Sequence, residues 1–317
     1  MMVDGRPGGQ ASGAAARPGP RHAAFLYRPG PDSLEPVVSY AREGLERGEA
    51  VSIGVSAPLA VMLRDALDDH GPRAAFFDMT EVGRNPGRII SAMRDFAGAY
   101  AGRIRYISQP CWPGRSAAEA GEAIRHEALV NVAFAQADAA ILCLYNTAEL
   151  GLPVASAAEQ THPTVIRDGQ TRDSSRYADG GQVPPAYDLP LGPPPSSVRS
   201  LTYDHDLRPV RQQVARCAHE AGLDDDRTAD LMLAASEVAA NTLHHTTGHG
   251  TLTVWSAAGE VICQVQDSGT IADPLAGRWR PADRPSGHGL WVVNQVCDLV
   301  ELRTGPGGTV VRMHMCL

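Results

Sequence analysis

From residue 22 to residue 145 the chain alternates short apolar runs with stretches of helical periodicity, and this rhythm constrains the fold more than any other feature. The apolar runs at 23–27, 50–55, 74–78, 104–108 and 139–145 read as strands. Helical patterns over 34–47, 59–70, 86–101 and 117–135 separate them. A helix between two strands returns the chain to the same end of the sheet, so consecutive strands run parallel. The expected first domain is therefore a mostly parallel α/β sheet flanked by helices.

Between residues 167 and 198 the periodicity collapses into Gly, Asp, Ser and Pro, including Pro184-Pro185 and Pro193-Pro194-Pro195. Such a stretch reads as a linker, semi-rigid at its proline end. Beyond it the order of patterns changes. Two long helical patterns (207–222 and 225–245) precede two strands (251–256 and 260–266), a long polar loop, a short helix (290–297) and a hairpin (299–303 and 309–315) around Gly305-Pro306-Gly307-Gly308. Helices grouped before strands predict a two-layer α+β sandwich. The expected division is a disordered tail over 1–21, an α/β domain over 22–166, a linker over 167–198 and a second domain over 199–317.

With 317 residues, 43% of them hydrophobic and 20% charged, the chain has material for two cores. All 28 basic residues are arginine, which excludes a Schiff-base lysine and a P-loop lysine. Any phosphate must be held by Arg, backbone amides or metal. The net charge of -8 disfavours binding to nucleic acid through phosphate neutralisation. Six cysteines without a CxxC pair read as reduced residues of a cytoplasmic protein, and the longest apolar run is too short to span a bilayer.

Three later elements carry chemistry. In the second long helix, Glu237, Asn241 and His245 recur every fourth residue and share one face. After the strand 261–265 comes Asp267-Ser268-Gly269-Thr270, an acidic strand end followed by a glycine. About twenty residues on, Gly287-His288-Gly289-Leu290 opens a helix, where free amides suit an anion. Each alone is also an ordinary solvated face, turn or loop.

In this order and spacing the three elements resemble the N, G1 and G2 boxes of the Bergerat ATP-binding fold, over about residues 199–317. The run Gly289-Leu290-Trp291-Val292-Val293-Asn294-Gln295 is similar to the RsbW-like anti-sigma serine/threonine kinase branch. The resemblance implies Glu237 as general base and Asn241 as Mg²⁺ ligand. It implies Asp267 as acceptor for the adenine amino group and His245, Gly269, Gly287, His288, Gly289 and Leu290 around bound ATP. Thr270 stands where the G1 box usually has its second glycine. Arg278, Arg280 or Arg284 of the loop could meet phosphate charge or simply be solvated.

The first half also resembles a known module, the MEDS sensory domain, distantly similar to RecA/KaiC-type ATPases. The resemblance rests on residues 22–27, Arg125-His126-Glu127, Leu142-Cys143-Leu144-Tyr145 and Thr161-His162-Pro163. Tyr27-Arg28-Pro29-Gly30 stands where an active P-loop would be, so ATP hydrolysis is not expected there. His22, Tyr27, Glu127 and His162 are expected to converge at strand ends as a site for an unknown small-molecule signal, with ordinary polar residues as the alternative. His244, His245 and His249 invite a zinc reading by spacing, although His245 more readily lines the nucleotide site. Gly54-Val55-Ser56-Ala57-Pro58 lacks the closing glycine of a nucleophile elbow and reads as a plain turn.

This layout is that of RsbA-family regulators. It implies a cytoplasmic protein that binds ATP and Mg²⁺, sequesters a sigma factor and phosphorylates a STAS-type antagonist, with no contact to nucleic acid or membrane and with a homodimer left open. A non-catalytic ATP-dependent switch and a sensor histidine kinase are the alternatives.

Overall fold

The computed structural model of the protein describes residues 21–196, 198–246, 248–280 and 287–317. The expected tail lies outside these residues except for Arg21, which opens the first strand instead.

The first domain follows the alternation: β1 (Arg21–Tyr27), α1 (Glu35–Glu46), β2 (Ala50–Val55), α2 (Ala57–Leu67), β3 (Ala75–Asp78), α3 (Met79–Val82), α4 (Ile89–Gly98), β4 (Ile104–Ser108), α5 (Ala117–Ala133), β5 (Ala139–Asn146), α6 (Thr147–Thr161), β6 (Thr164–Arg167) and β7 (Gln170–Asp173). The sheet order is β3-β2-β4-β5-β1-β6-β7, with every pairing parallel except β6 with β7. Alternation along each strand divides the core. Phe25, Leu142 and Leu144 meet α1 and α2 on one face, while Ala24, Leu26, Ile141, Cys143 and Tyr145 meet α4 and α5 on the other.

Three differences from the expected elements have local causes. The sheet runs past residue 166 into β7, because Asp168 (φ 50°) and Gly169 (φ 73°) form a two-residue hairpin turn between strands too short and polar to stand out. Helix α6 was hidden by Gly151 and Pro153. The chain breaks at Gly151 (φ 72°), and Pro153 sits in the first turn that follows, where no N–H donor is needed. The half-exposed β8 (Arg199–Tyr203) is recruited only by pairing with its neighbour.

The second domain continues with α7 (Arg208–Ala221), α8 (Asp225–His245), β9 (Gly250–Ala257), β10 (Glu260–Asp267), α9 (Gly289–Val296), β11 (Leu299–Gly305) and β12 (Gly308–Cys316). Its sheet, β11-β12-β10-β9-β8, is antiparallel throughout, and the three helices cover one face. The architecture is thus the expected pair of a mostly parallel sheet and a two-layer sandwich.

Helix α5 lies between the domains, which explains why it is buried nearly all round despite a weak apolar stripe. Glu122 faces the second domain and pairs with Arg278 (3.3 Å) and Arg303 (2.6 Å). Nearby, Arg88 donates to the carbonyls of Asn294 (2.8 Å) and Cys297 (2.7 Å), placing a cation at the C-terminal end of α9. Trp291 Nε1 donates to Ser91 Oγ at 3.1 Å, and Asn85 Nδ2 donates to the Asn294 carbonyl at 3.0 Å. Linker residues Leu189 and Gly192 accept from Arg303 and Arg312 of the second sheet.

On the sheet face away from the helices, His314 sits between Glu260 (2.9 Å) and Glu301 (3.1 Å). Burial alone would depress this imidazole. The two carboxylates outweigh it through hydrogen bonds and charge and raise its pKa from 6.5 to about 8. That difference corresponds to about 2 kcal/mol of stability, fully present below the unfolded value and lost as pH rises through 8. Urea unfolding of the wild type is therefore expected to weaken between about pH 6.5 and 8.5. His314→Gln is expected to lose that slope, and an unchanged slope would remove His314 as its source.

Candidate functional site

The second domain contains a cleft of about 520 Å³ between α8, the end of β10 and the start of α9. Helix α8 begins where the Asp224 side chain accepts from the Arg227 N–H at 2.8 Å, with Asp225 and Asp226 favourably placed at its positive end. Its last two turns then carry Asn241 and His245 into the cleft wall.

Asp267 ends β10 at the floor of the cleft. Its Oδ2 accepts from Thr242 Oγ1 (2.7 Å), which accepts in turn from the Tyr203 hydroxyl (2.9 Å), and its Oδ1 accepts from the Gly269 N–H (2.8 Å). Each carboxylate oxygen is thus oriented by one donor and keeps a lone pair for another. The following loop is strapped to the hairpin, since Thr309 Oγ1 donates to the Gly269 carbonyl at 2.8 Å and Thr304 Oγ1 accepts from the Ile271 N–H at 3.0 Å.

At the opposite side, Gly287 adopts φ 95°, a left-handed conformation that favours glycine. A Cβ on Gly289 would lie 2.7 Å from Glu237 Oε2, so this backbone packs directly on the carboxylate. Asn241, His245, Asp267, Gly269, Gly287, Gly289 and Leu290 all line the cleft. Glu237 and His288 do not: Glu237 lies behind Gly289, and the His288 backbone caps α9. The cleft suits a nucleotide, with a carboxylate acceptor at one end and glycine backbone at the other.

The outer wall is built from Leu275, Ala276, Gly277 and Trp279. Leu275 and Trp279 also pack into the core of the first domain, and the Arg94 guanidinium lies 4.1 Å from the Trp279 ring centroid. This corrects the expectation for the loop arginines. Arg278 is 7% exposed and committed to the buried Glu122, because a buried carboxylate needs a cationic partner. Arg280 lies over the Trp291 ring, and Arg284 falls outside the described residues.

In the first domain, His22, Glu127 and His162 come together but Tyr27 does not. Tyr27 is five residues from His22, and the two-residue period of a strand turns it to the opposite face, against Phe25. The cluster is also not at the strand ends. It lies under α5, level with the early part of β5. Cys143 on β5 and Tyr145 join it, and two-residue parity along β5 is the signal that would have found them. Burial pushes the Cys143 thiol and the Tyr145 hydroxyl well above their ordinary values. Among the described residues, His244, His245 and His249 form no metal-ligand group.

Comparison with known families places both halves. Residues 201–315 match the family model of the histidine kinase-like ATPase domain. Residues 21–163 match MEDS, the MEthanogen/methylotroph, DcmR Sensory domain. The chain therefore joins a MEDS sensory domain to a histidine kinase-like, ATP-binding domain, the two-domain layout of the RsbA family that its sequence resembles. No curated protein matches the chain. Among the described residues no helix is long and apolar enough to cross a membrane.

Asp267→Asn is expected to keep the Gly269 contact but turn an N–H₂ group toward Thr242 and the adenine position. Calorimetry should show ATP affinity falling about ten- to a hundredfold, with GTP less affected. Equal ATP affinity in both proteins would remove Asp267 from base recognition.

Proposed function

We propose that the protein is an anti-sigma regulator whose second domain binds ATP with Mg²⁺, sequesters a sigma factor and phosphorylates a STAS-type antagonist on serine or threonine, under control of the MEDS domain. The observation that carries this reading is the cleft, with Asp267 and Asn241 at one side, Gly287, Gly289 and Leu290 at the other, and a wall shared with the sensory domain.

In this reading Asp267 accepts a hydrogen bond from the adenine amino group, and the free amides at the start of α9 receive phosphate where a lysine is lacking. The Asn241 side-chain oxygen is the protein ligand for Mg²⁺, which neutralises phosphate charge when bound. Glu237 accepts the proton of the attacking hydroxyl once the loop around Gly289 moves off its carboxylate.

A specific observation favours a second reading, a non-catalytic ATP-dependent switch: Glu237 lies outside the cleft lining, and Thr270 replaces a glycine in the adenine-side loop. The histidine-kinase reading is weaker, since among the described residues between β7 and β8 the helical elements are two 3₁₀ turns, Asp179–Gly181 and Pro185–Tyr187.

Transfer of label from γ-labelled ATP to the antagonist separates the readings. Wild type is expected to transfer, and Glu237→Gln is expected to fall by about 10² to 10⁴ with ATP affinity nearly intact. No transfer in wild type would leave the switch.

The shared wall gives a second expectation. Glu122 does not line the cleft, yet Glu122→Gln should free Arg278 and the loop beside it. ATP affinity is expected to drop about tenfold, the equivalent of about 1.4 kcal/mol. Unchanged affinity would argue against coupling through this contact.

A further inference from the structure

The buried cluster under α5 has the donors of a metal site. His22, Glu127, Cys143 and His162 each offer one ligand atom, all within 4.8 Å of one another, and all four residues are at most 1% exposed. They come from β1, α5, β5 and the residue that ends α6.

The orientation of both imidazoles follows from their outer partners. His22 Nδ1 lies 3.1 Å from Asn131 Oδ1. That amide is held in place because its Nδ2 donates to the carbonyls of Glu127, Ala128 and Thr161. His162 Nδ1 lies 2.8 Å from the Ala158 carbonyl, which can only accept. Both Nδ1 atoms are therefore donors, a tautomer in which Nε2 presents its lone pair inward. Outer hydrogen bonds of this kind orient histidines that bind metals.

Inward, the two Nε2 atoms face the Glu127 carboxylate and the Cys143 sulfur. Glu127 Oε2 lies 3.5 Å from His22 Nε2 and 2.8 Å from His162 Nε2, and Cys143 Sγ lies 3.4 Å from His22 Nε2. The Tyr145 hydroxyl donates to Glu127 Oε2 at 3.1 Å, while Glu127 Oε1 is buried without a hydrogen-bond partner, with His126 Nε2 3.5 Å away. A buried carboxylate, two imidazoles and a thiol that becomes a strong ligand on deprotonation, gathered around one point, suit a cation.

Bond lengths of about 2.0–2.3 Å at tetrahedral angles separate ligand atoms by about 3.3–3.8 Å. The His22–Glu127 and His22–Cys143 separations meet this, and the His162–Glu127 pair needs to open by about half an ångström. Two nitrogens, one sulfur and one oxygen suit a borderline transition ion and not the all-oxygen shells of Mg²⁺ or Ca²⁺.

We propose that His22, Glu127, Cys143 and His162 bind one divalent ion of the zinc class in four-coordinate geometry, with Cys143 as thiolate. Four protein ligands and full burial leave no open position, so the ion ties β1, α5, β5 and the end of α6 together rather than activating water. The proton of Cys143 leaves to solvent as the metal–sulfur bond forms.

Refolding the full chain from denaturant with Co²⁺ as the only metal tests this. Wild type is expected to take up about one equivalent, with the visible bands of tetrahedral Co²⁺ and a thiolate-to-cobalt band in the near ultraviolet, both bleached by excess Zn²⁺. Cys143→Ser is expected to lose the near-ultraviolet band, and Glu127→Gln to lower uptake at least tenfold, with circular dichroism checking that each variant folds. Folded wild type without these bands would overturn the proposal, as would a near-ultraviolet band that persists in Cys143→Ser. If both variants fail to fold, His22→Cys, which keeps four donors, is expected to strengthen the near-ultraviolet band, and a weaker or unchanged band would overturn the site.

Discussion

A single buried carboxylate holds the arrangement of the two domains. Glu122 projects from α5 into the interface and gathers Arg278 from the loop over the cleft and Arg303 from the edge strand β11. A carboxylate at 1% exposure is tolerated only when its charge is matched and hydrogen-bonded, so the second domain has to present both arginines there. The edge of the second sheet is covered in the same step, which removes a strand edge open to further pairing. Around this contact, Arg88 closes the end of α9 and Trp291 reaches Ser91.

The same interface supplies part of the cleft wall. Leu275 and Trp279 belong to its wall and also to the core of the sensory domain, so a displacement of α4 or α5 is felt as a change of shape in the wall. Helix α5 carries Glu127 toward the sheet and Glu122 toward the loop, less than two turns apart. A rigid helix with one end of its chemistry in the core of the first domain and the other on the loop beside the cleft is a direct physical connection between them.

Within the cleft, orientation comes from neutral donors rather than lysine. The Tyr203–Thr242–Asp267 relay holds the carboxylate from below, and the Gly269 amide holds it from the side. This matches a chain whose 28 basic residues are all arginine. The described arginines of the loop are engaged elsewhere, Arg278 by Glu122 and Arg280 over Trp291, and the cleft wall opposite Asp267 is glycine backbone at Gly287 and Gly289.

The sequence by itself determined the two architectures, because both rest on local periodicity: strands and helices alternate in the first half, and helices precede strands in the second. It also singled out several residues that line the cleft, Asn241 and His245 on one helical face and Asp267 and Gly287 at strand and helix ends, but not the wall of Leu275 and Trp279. Short elements without a pattern of their own, β7, β8 and the broken α6, were decided by their neighbours in the tertiary structure. Only the fold could show that Arg278 serves Glu122, that Tyr27 faces away from His22 and that Cys143 completes the buried cluster. Those outcomes depend on which groups from distant parts of the chain meet in the interior, where a charge or a lone pair must find a partner and spacing along the sequence carries no record of which one.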